Sequence, residues 1–413
     1  MRGRRFGKEI NPLFLFVKKN ITLFSIVALC ANIGILNAAR VQVPAASVSN
    51  AVAFHRVDAF AGWPANEGSW VWGDEALVGF EVGGYEPHDD THSIDRSKAY
   101  LSFARTTDGG RTWVTEEHPE LRPPVYLEDP KQFAKSPEEK DATIVPCSGI
   151  GDMTAPGFAM KLRGDVFYTT QDKGKTWSAP HPIPTFKEQN AVPAARTSYL
   201  VTGPQSAWFF VSSIGDRDPS LPKTAERGRA FVMKTEDGCK SFQFVGWMTP
   251  DLTAKASPKE LESPVFSLMP SVVLMDDGHL VAALRQRIDR RKWTDIYESR
   301  DGGKTWTFLS EAERGSNNPP ALVRLKDGRL AVIYGWRGKQ PGMRAKISAD
   351  GGKTWPDEYV IRADARTWDI GYPRAHTLDD GAVLIFYYYT TDANKQQHIA
   401  ATRWTPPTAI TQK

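Results

Sequence analysis

Cysteine is scarce in this chain, with three in 413 residues. Cys30 lies in an N-terminal apolar run, and Cys147 with Cys239 can make at most one bridge, so no disulfide framework holds the fold. An excess of one charge is also lacking. The 52 Lys and Arg are interleaved with 48 Asp and Glu for a net charge of +4, which gives no basic face for nucleic acid. Long amphipathic helical stretches are missing too, which argues against a helical architecture. What the chain has instead is aromatic residues, with 13 Trp, 12 Tyr and 20 Phe, and a short motif repeated along its length.

The motif reads Ser/Thr-x-Asp-x-Gly-x-Thr-Trp. It occurs at Thr106–Trp113, Thr170–Trp177, Ser299–Trp306 and Ser348–Trp355, with a degenerate copy, TEDGCKSF, at Thr235–Phe242. The aspartates stand at 108, 172, 237, 301 and 350, so the steps are 64, 65, 64 and 49 residues. Such self-similarity marks a repeat architecture in which each repeat is one supersecondary unit. Asp-x-Gly between strand-like runs is turn chemistry, because the carboxylate accepts nearby backbone N–H groups and Gly permits positive φ. An EF-hand is excluded by the missing ligand spacing and closing Glu.

A second periodic feature accompanies the first. An x-Pro pair opens an apolar segment and a Gly turn follows, at Trp63-Pro64 to Gly73, Val192-Pro193 to Gly203, Met269-Pro270 to Gly278, Pro319 to Gly328 and Tyr372-Pro373 to Gly381. The second unit opens at either Val145-Pro146 or Ala155-Pro156. Each turn leads into a β-prone run such as HLVAALR or AVLIFYYY, and a third strand leads into the Asp motif. Strand, turn, strand, loop, strand, Asp turn, strand describes a four-stranded antiparallel unit. About six such units predict an all-β fold, a six-bladed β-propeller, with a parallel β-solenoid as the alternative. The sixth unit lacks the motif, so its outer strand is expected from the chain before Trp63. The expected organisation is a signal peptide over 1–39, a linker or first outer strand over 40–55, the propeller over 56–405 and a tail over 406–413.

The signal is read from Arg2, Arg4, Arg5, Lys18 and Lys19 before the apolar run Ile21 to Leu36, with small Ala38 and Ala39 after it. That order predicts export, to the periplasm or outside the cell, with an uncleaved membrane anchor as the alternative. Cys30 follows Leu29 rather than a small residue, so lipidation is not expected.

Strand alternation places the Asp turns on one face and the starts of the innermost strands on the other. That second face is expected to collect Trp63, Met269, Asn317, Asn318 and Tyr372, the loop Tyr85–Asp95, Arg285, Arg287, the stretch from Arg337 to Arg344, and Tyr387 to Tyr389.

Five such boxes in an exported β chain resemble the sialidase (neuraminidase) superfamily of BNR/Asp-box repeat proteins, from about Arg56 to Trp404. The resemblance implies an Asp acid/base thirteen residues before the first box aspartate, where Asp95 stands, and a Tyr nucleophile nine before the last turn Gly, where Tyr372 stands. It implies three arginines that hold a substrate carboxylate. Arg285 matches one, and Arg344 or Arg337 another. The chain departs from the family at Gly62-Trp63-Pro64, where the first arginine of an Arg-Ile-Pro triplet belongs, and at Met269, where the family has the glutamate that assists the tyrosine.

The residues themselves support the same chemistry. A phenol needs help to act as a nucleophile. Period-two alternation puts Arg374 and His376 on the face of Tyr372, so Arg374 is expected to stabilise a phenolate and His376 to accept its proton, with Glu262 as an alternative carboxylate. Arg285, Arg287, Arg337, Arg344 and, further off, Arg196 are expected to bind an anionic group. Together these predict a hydrolase for an acidic sugar, with a carbohydrate as the partner and no cofactor or metal. Two alternatives stay open: a lyase for uronic-acid polysaccharides, with His92, His376 or Tyr372 as base, and a non-catalytic glycan-binding propeller.

Overall fold

Runs that are apolar at every position make strands buried on both faces. In Leu280–Ile288, Val281 and Ala283 pack to one side while Leu280, Ala282 and Leu284 pack to the other. In Val383–Tyr389 the same division separates Val383, Ile385, Tyr387 and Tyr389 from Leu384, Phe386 and Tyr388. The computed structural model describes residues 42–45, 47–118, 121, 143–214, 222 and 225–408. The signal segment 1–39, with Cys30, and the end of the tail lie outside the described residues. Residues Arg40–Lys413 form one compact unit. The fold is all-β, and its single α-helix among the described residues is the four-residue turn Pro64–Glu67. Among these residues no helix is long and apolar enough to cross a membrane.

The strands pair in five sheets. The first group joins Ala59–Gly62 and Ser69–Trp72 to Glu75–Tyr85, then Ile94–Thr106 and Val114–Glu116. The second joins Ala195–Arg196, Ala159–Gly164, Val166–Thr170 and His181–Pro182. An eight-stranded sheet contains a third group from Tyr199 to Trp247 and a fourth from Val265 to Arg314, linked by three parallel residue pairs between Arg227–Arg229 and Val265–Ser267. The fifth runs from Ala321 to Arg362, with Gln42–Pro44 parallel to its last strand. The sixth runs from Gly371 to Trp404, and Val48–Phe54 supplies its outer strand, antiparallel to His398–Trp404.

The second group departs from expectation. Neither Val145-Pro146 nor Ala155-Pro156 opens an inner strand. The segment 143–157 is irregular, and Ala195–Arg196 fills the innermost place beside Ala159–Gly164. Pro146, Gly149, Gly151, Pro156 and Gly157 crowd that segment, and such residues oppose a regular ladder.

Apolar clusters join neighbouring groups in series. They link the first to the second through Leu77, Phe103 and Tyr168, and the second to the third through Leu162, Phe209 and Phe231. The third meets the fourth through Val232 and Leu284, the fourth meets the fifth through Ile296 and Val332, and the fifth meets the sixth through Ile333 and Tyr387. The sixth returns to the first through Phe386 and Phe80.

The Asp turns are built alike. Asp350 Oδ1 accepts from Ser348 Oγ at 2.7 Å and from the N–H groups of Lys353 and Thr354 at 3.0 and 2.9 Å, and Oδ2 accepts from Thr354 Oγ1 at 2.6 Å. Asp108 and Asp172 make the same set. The turn glycine then packs on the group before it: Gly174 against Leu77, Gly303 against Val232 and Gly352 against Ile296. In the degenerate copy Cys239 replaces that glycine and keeps its positive φ of 68°. Cys239 and Cys147 are both free thiols.

Against a burial penalty, the hydroxyls of Thr354 and Ser348 hold the Asp350 carboxyl down to about 2. A depressed value gives stability that is present above the ordinary value of 3.8 and lost as the pH falls toward 2. Asp350→Ala should therefore destabilise the protein by about 1 kcal/mol at neutral pH. In denaturant titrations the gap from wild type should close below pH 3.8; a gap independent of pH would contradict this role.

Candidate active site

Four residues have left-handed backbone near the inner ends of their groups: Trp63 (φ 59°) before the turn Pro64–Glu67, Met269 (57°) within the strand Val265–Leu274, Asn317 (53°) ahead of Ala321–Arg324, and Tyr372 (52°) in Gly371–Thr377. Three of them directly precede proline, where such geometry is uncommon. Strained residues of this kind gather at functional sites. At Tyr372 the ladder slips between Gly371 and Arg374. Asn318 fixes the bend, since its Oδ1 accepts from Tyr372 N–H at 2.7 Å. Gly371 has to be glycine, because a Cβ there would lie 2.2 Å from Asn318 Oδ1.

The bend carries the Tyr372 phenol toward guanidinium groups from other sheets. Arg285, on Leu280–Ile288, donates from Nη1 to Tyr372 Oη at 3.3 Å and from Nη2 to Asn317 Oδ1 at 3.0 Å. Its Nε is buried without a partner. Arg337 stands 5.6 Å from the Tyr372 ring centre and donates to Tyr388 Oη at 2.6 Å and to Ile370 O. Arg196 donates to Asn66 Oδ1 at 2.9 Å, and burial and the neighbouring Arg163 lower its pKa while Tyr372 raises it. Arg287 donates to the Asp289 carbonyl, and burial and Arg285 lower its pKa. These four arginines hydrogen-bond amide, carbonyl and phenol oxygens, and among the described residues none donates to a carboxylate.

Other expected residues lie elsewhere. Alternation does not carry past Tyr372, because the left-handed residue and the slip break the period. Arg374 instead donates to the carbonyls of Ala65 and Thr197, and burial with Arg196 lowers it to about 10. His376 meets Ser69 Oγ at 2.8 Å, and burial with Arg374 lowers it to about 4. Neither hydrogen-bonds the phenol, so the expected phenolate partners are corrected. Arg344 is 2% exposed and donates to the carbonyls of Met343, Arg362 and Gln340, so of the two matched alternatives Arg337 stands beside Tyr372. Glu262 is exposed in the short turn Glu260–Glu262. Asp95, near the start of the strand Ile94–Thr106 and paired with Gly84, accepts from Ser97 N–H at 2.8 Å and Ser97 Oγ at 2.9 Å. Met269, in place of a glutamate, packs with Ala65, Phe266, Leu268 and Tyr372.

Several groups near the mouth carry no signal in a single sequence. Glu67 meets Lys161 at 2.6 Å and Arg163 at 3.3 Å, both from the second group. Arg96 stands 4.8 Å over the Trp63 ring and 3.7 Å from Glu81. Both Glu81 oxygens are buried without a hydrogen bond. Asp369, only three residues before Tyr372, accepts from His92 Nδ1 at 2.7 Å, Tyr388 Oη at 2.6 Å and Gln397 Nε2 at 3.2 Å.

Burial pushes Glu81 from 4.5 up to about 8, against the pull of Arg96 and Arg163. The folded state then holds a proton that the unfolded chain releases, so stability is full below 4.5 and is lost as the pH rises toward 8. Glu81→Gln should remove that slope. Its thermal midpoint, compared with wild type, should improve steadily from pH 5 to about 8. Parallel profiles would mean that Glu81 is ionised in the fold.

Residues 156–385, more than half of the chain, match the BNR repeat-like domain. A sialidase of Bacteroides fragilis is 23% identical over 319 residues, covering 70% of this chain and 53% of that protein. The chain thus spans about half the length of that relative. A crystal structure of a protein of unknown function from Dyadobacter fermentans shares the fold, with TM-score 0.61 and 21% identity over 87% of this chain and 99% of that one. The NanB sialidase of Streptococcus pneumoniae superposes with TM-score 0.49 and 12% identity over 85% of this chain and 68% of that one. By its repeated Asp turns and by that match over more than half its length, the chain belongs to the BNR repeat-like family, within the sialidase-like superfamily.

Proposed function

We propose that the protein is a glycoside hydrolase of the exo-α-sialidase type, acting on a sugar that carries a carboxylate. Its framework is a six-bladed β-propeller over 56–405, with Val48–Phe54 as the outer strand that closes the ring. Residues 1–39 direct the chain out of the cytoplasm, to the periplasm or beyond. The series of apolar clusters that returns from the sixth group to the first supports the ring.

One observation carries the functional reading: Arg285 and Arg337 meet Tyr372, Arg196 lies close enough to feel its charge, Arg287 adjoins Arg285, and among the described residues no carboxylate is hydrogen-bonded to any of the four. Guanidinium groups with no carboxylate bonded to them in a sheltered mouth favour an anion, and a carboxylate can take two parallel N–H bonds from one of them. The buried, unpartnered Nε of Arg285 is such a waiting donor. A carboxylate held there sets the reacting carbon of the sugar beside the Tyr372 oxygen, where a phenol attacks or stabilises the cation that forms as the glycosidic bond breaks. Arg285 Nη1, 3.3 Å from that oxygen, donates to it and fixes where it points.

The reading predicts kinetics that depend on substrate charge. Arg285→Ala should lower kcat/KM for a sialoside by about 10²-fold, the usual result of removing one partner of a sheltered charged pair. Arg285→Lys should recover little, since lysine lacks the planar fork. Tyr372→Phe should abolish turnover while leaving the thermal midpoint within a few degrees of wild type. A protein that cleaves neutral glycosides as well as acidic ones, with Arg285→Ala unchanged, would contradict the reading.

A further inference from the structure

We propose that His92, oriented by Asp369, is the group that passes the proton to and from the glycosidic oxygen, a role the resemblance to sialidases implies for Asp95. The inference rests on the glycosidase reading above. Its first support is geometric. His92 lies in the loop between the strands Glu75–Tyr85 and Ile94–Thr106 of the first group, and Asp369 lies just before the strand Gly371–Thr377, yet Nδ1 and Oδ1 are 2.7 Å apart. The Asp369 side chain is 3% exposed and that of His92 is 29% exposed, so the pair has a buried end and an open end.

The protonation state follows from the neighbours. Burial disfavours a charge on Asp369, but the bond and charge of His92, with Arg337 and Tyr388, hold its carboxyl below the ordinary value. An ionised carboxylate only accepts hydrogen bonds, so Nδ1 carries its proton and Nε2 is the nitrogen left for exchange. No hydrogen bond engages Nε2 among the described residues.

Position supports the role. The His92 ring stands edge-on to Trp63 at 5.0 Å and 5.8 Å from Trp368. Arg337 lies 5.4 Å over Trp368 and 5.6 Å over Tyr372, and Tyr388 Oη bonds both Arg337 and Asp369. The dyad and the phenol are therefore fixed to one another through Arg337 and Tyr388. Asp95, by contrast, has both oxygens bonded to Ser97.

The step balances. As the bond between the sugar carbon and the leaving oxygen breaks, the oxygen keeps the electron pair and takes the proton from Nε2. The sugar cation is stabilised by the Tyr372 oxygen and by its own carboxylate on the arginines. The water that then adds to the carbon gives its proton back to Nε2, so the dyad ends as it began.

The test compares two substrates on the full chain, α2,3-sialyllactose, whose leaving alcohol needs a proton, and the 4-nitrophenyl α-sialoside, whose phenolate leaves without one. His92→Ala should lose about 10²- to 10⁴-fold in kcat/KM on the first and less than about tenfold on the second, with added imidazole restoring part of the loss. His92→Gln serves as a second variant of similar volume and should show the same bias. Asp369→Asn, a change in the positioning residue, should show the bias more weakly and should remove the downfield proton NMR signal of a carboxylate-bound Nδ1–H. Equal losses on both substrates, or a biased loss in Asp95→Asn instead, would overturn the dyad alone. A wild-type protein that cleaves neither probe, or that releases an unsaturated, ultraviolet-absorbing sugar, would overturn the glycosidase reading and the dyad with it.

Discussion

The contact on which the rest depends is the apolar seam between the first and last strand groups. There Phe54, Phe60 and Phe80 pack with Phe386 and Tyr388. The outer strand of the last group comes from Val48–Phe54, on the opposite end of the chain from its partner His398–Trp404. Without that seam, Trp63 and Tyr372 would have no fixed relation, because about three hundred residues separate them in sequence. With it, His92 from the first group meets Asp369 beside the sixth, and Arg374 from the sixth reaches the carbonyls of Ala65 and Thr197.

Rigidity at the rim and strain at the centre are complementary. The Asp turns tie each outer corner with several charge-assisted bonds and press a glycine on the preceding group. The centre holds left-handed residues before proline, buried like charges and an unpartnered guanidinium nitrogen. Each is unfavourable alone, and a scaffold of two-sided apolar strands can hold them. Arg285 presses its charge on both Arg196 and Arg287, Glu226 offsets this in part, and an anion in the site relieves it further.

Much of the fold was legible in the sequence, because its signals are local. The Asp motifs and the apolar runs follow from residues near in the chain, the outer strand before Trp63 follows from the motif missing in the sixth unit, and all three recur in the structure. The second group was not legible, since Pro and Gly break its expected inner strand and Ala195–Arg196, from the next stretch of chain, takes the place. The site was legible where spacing carried it, as for Arg285 beside Tyr372. It failed where one backbone angle reversed a face. The positive φ of Tyr372 turned Arg374 and His376 away from the phenol, and no residue-type pattern announces that angle. Asp369 and Glu67 are single carboxylates that meet His92 and Lys161 from other strand groups, and Glu81 meets Arg96 from the next strand of its own sheet, so only the fold reveals them.

The central claim is that an anionic sugar is held at the arginines around Tyr372. Calorimetric titration of the wild-type protein with a sialic acid and with its methyl ester, which differ only in that charge, tests it most directly. The account predicts binding of the acid, weakened by at least tenfold in the ester and likewise in Arg285→Ala. Equal affinity for acid and ester, unchanged by Arg285→Ala, would contradict it.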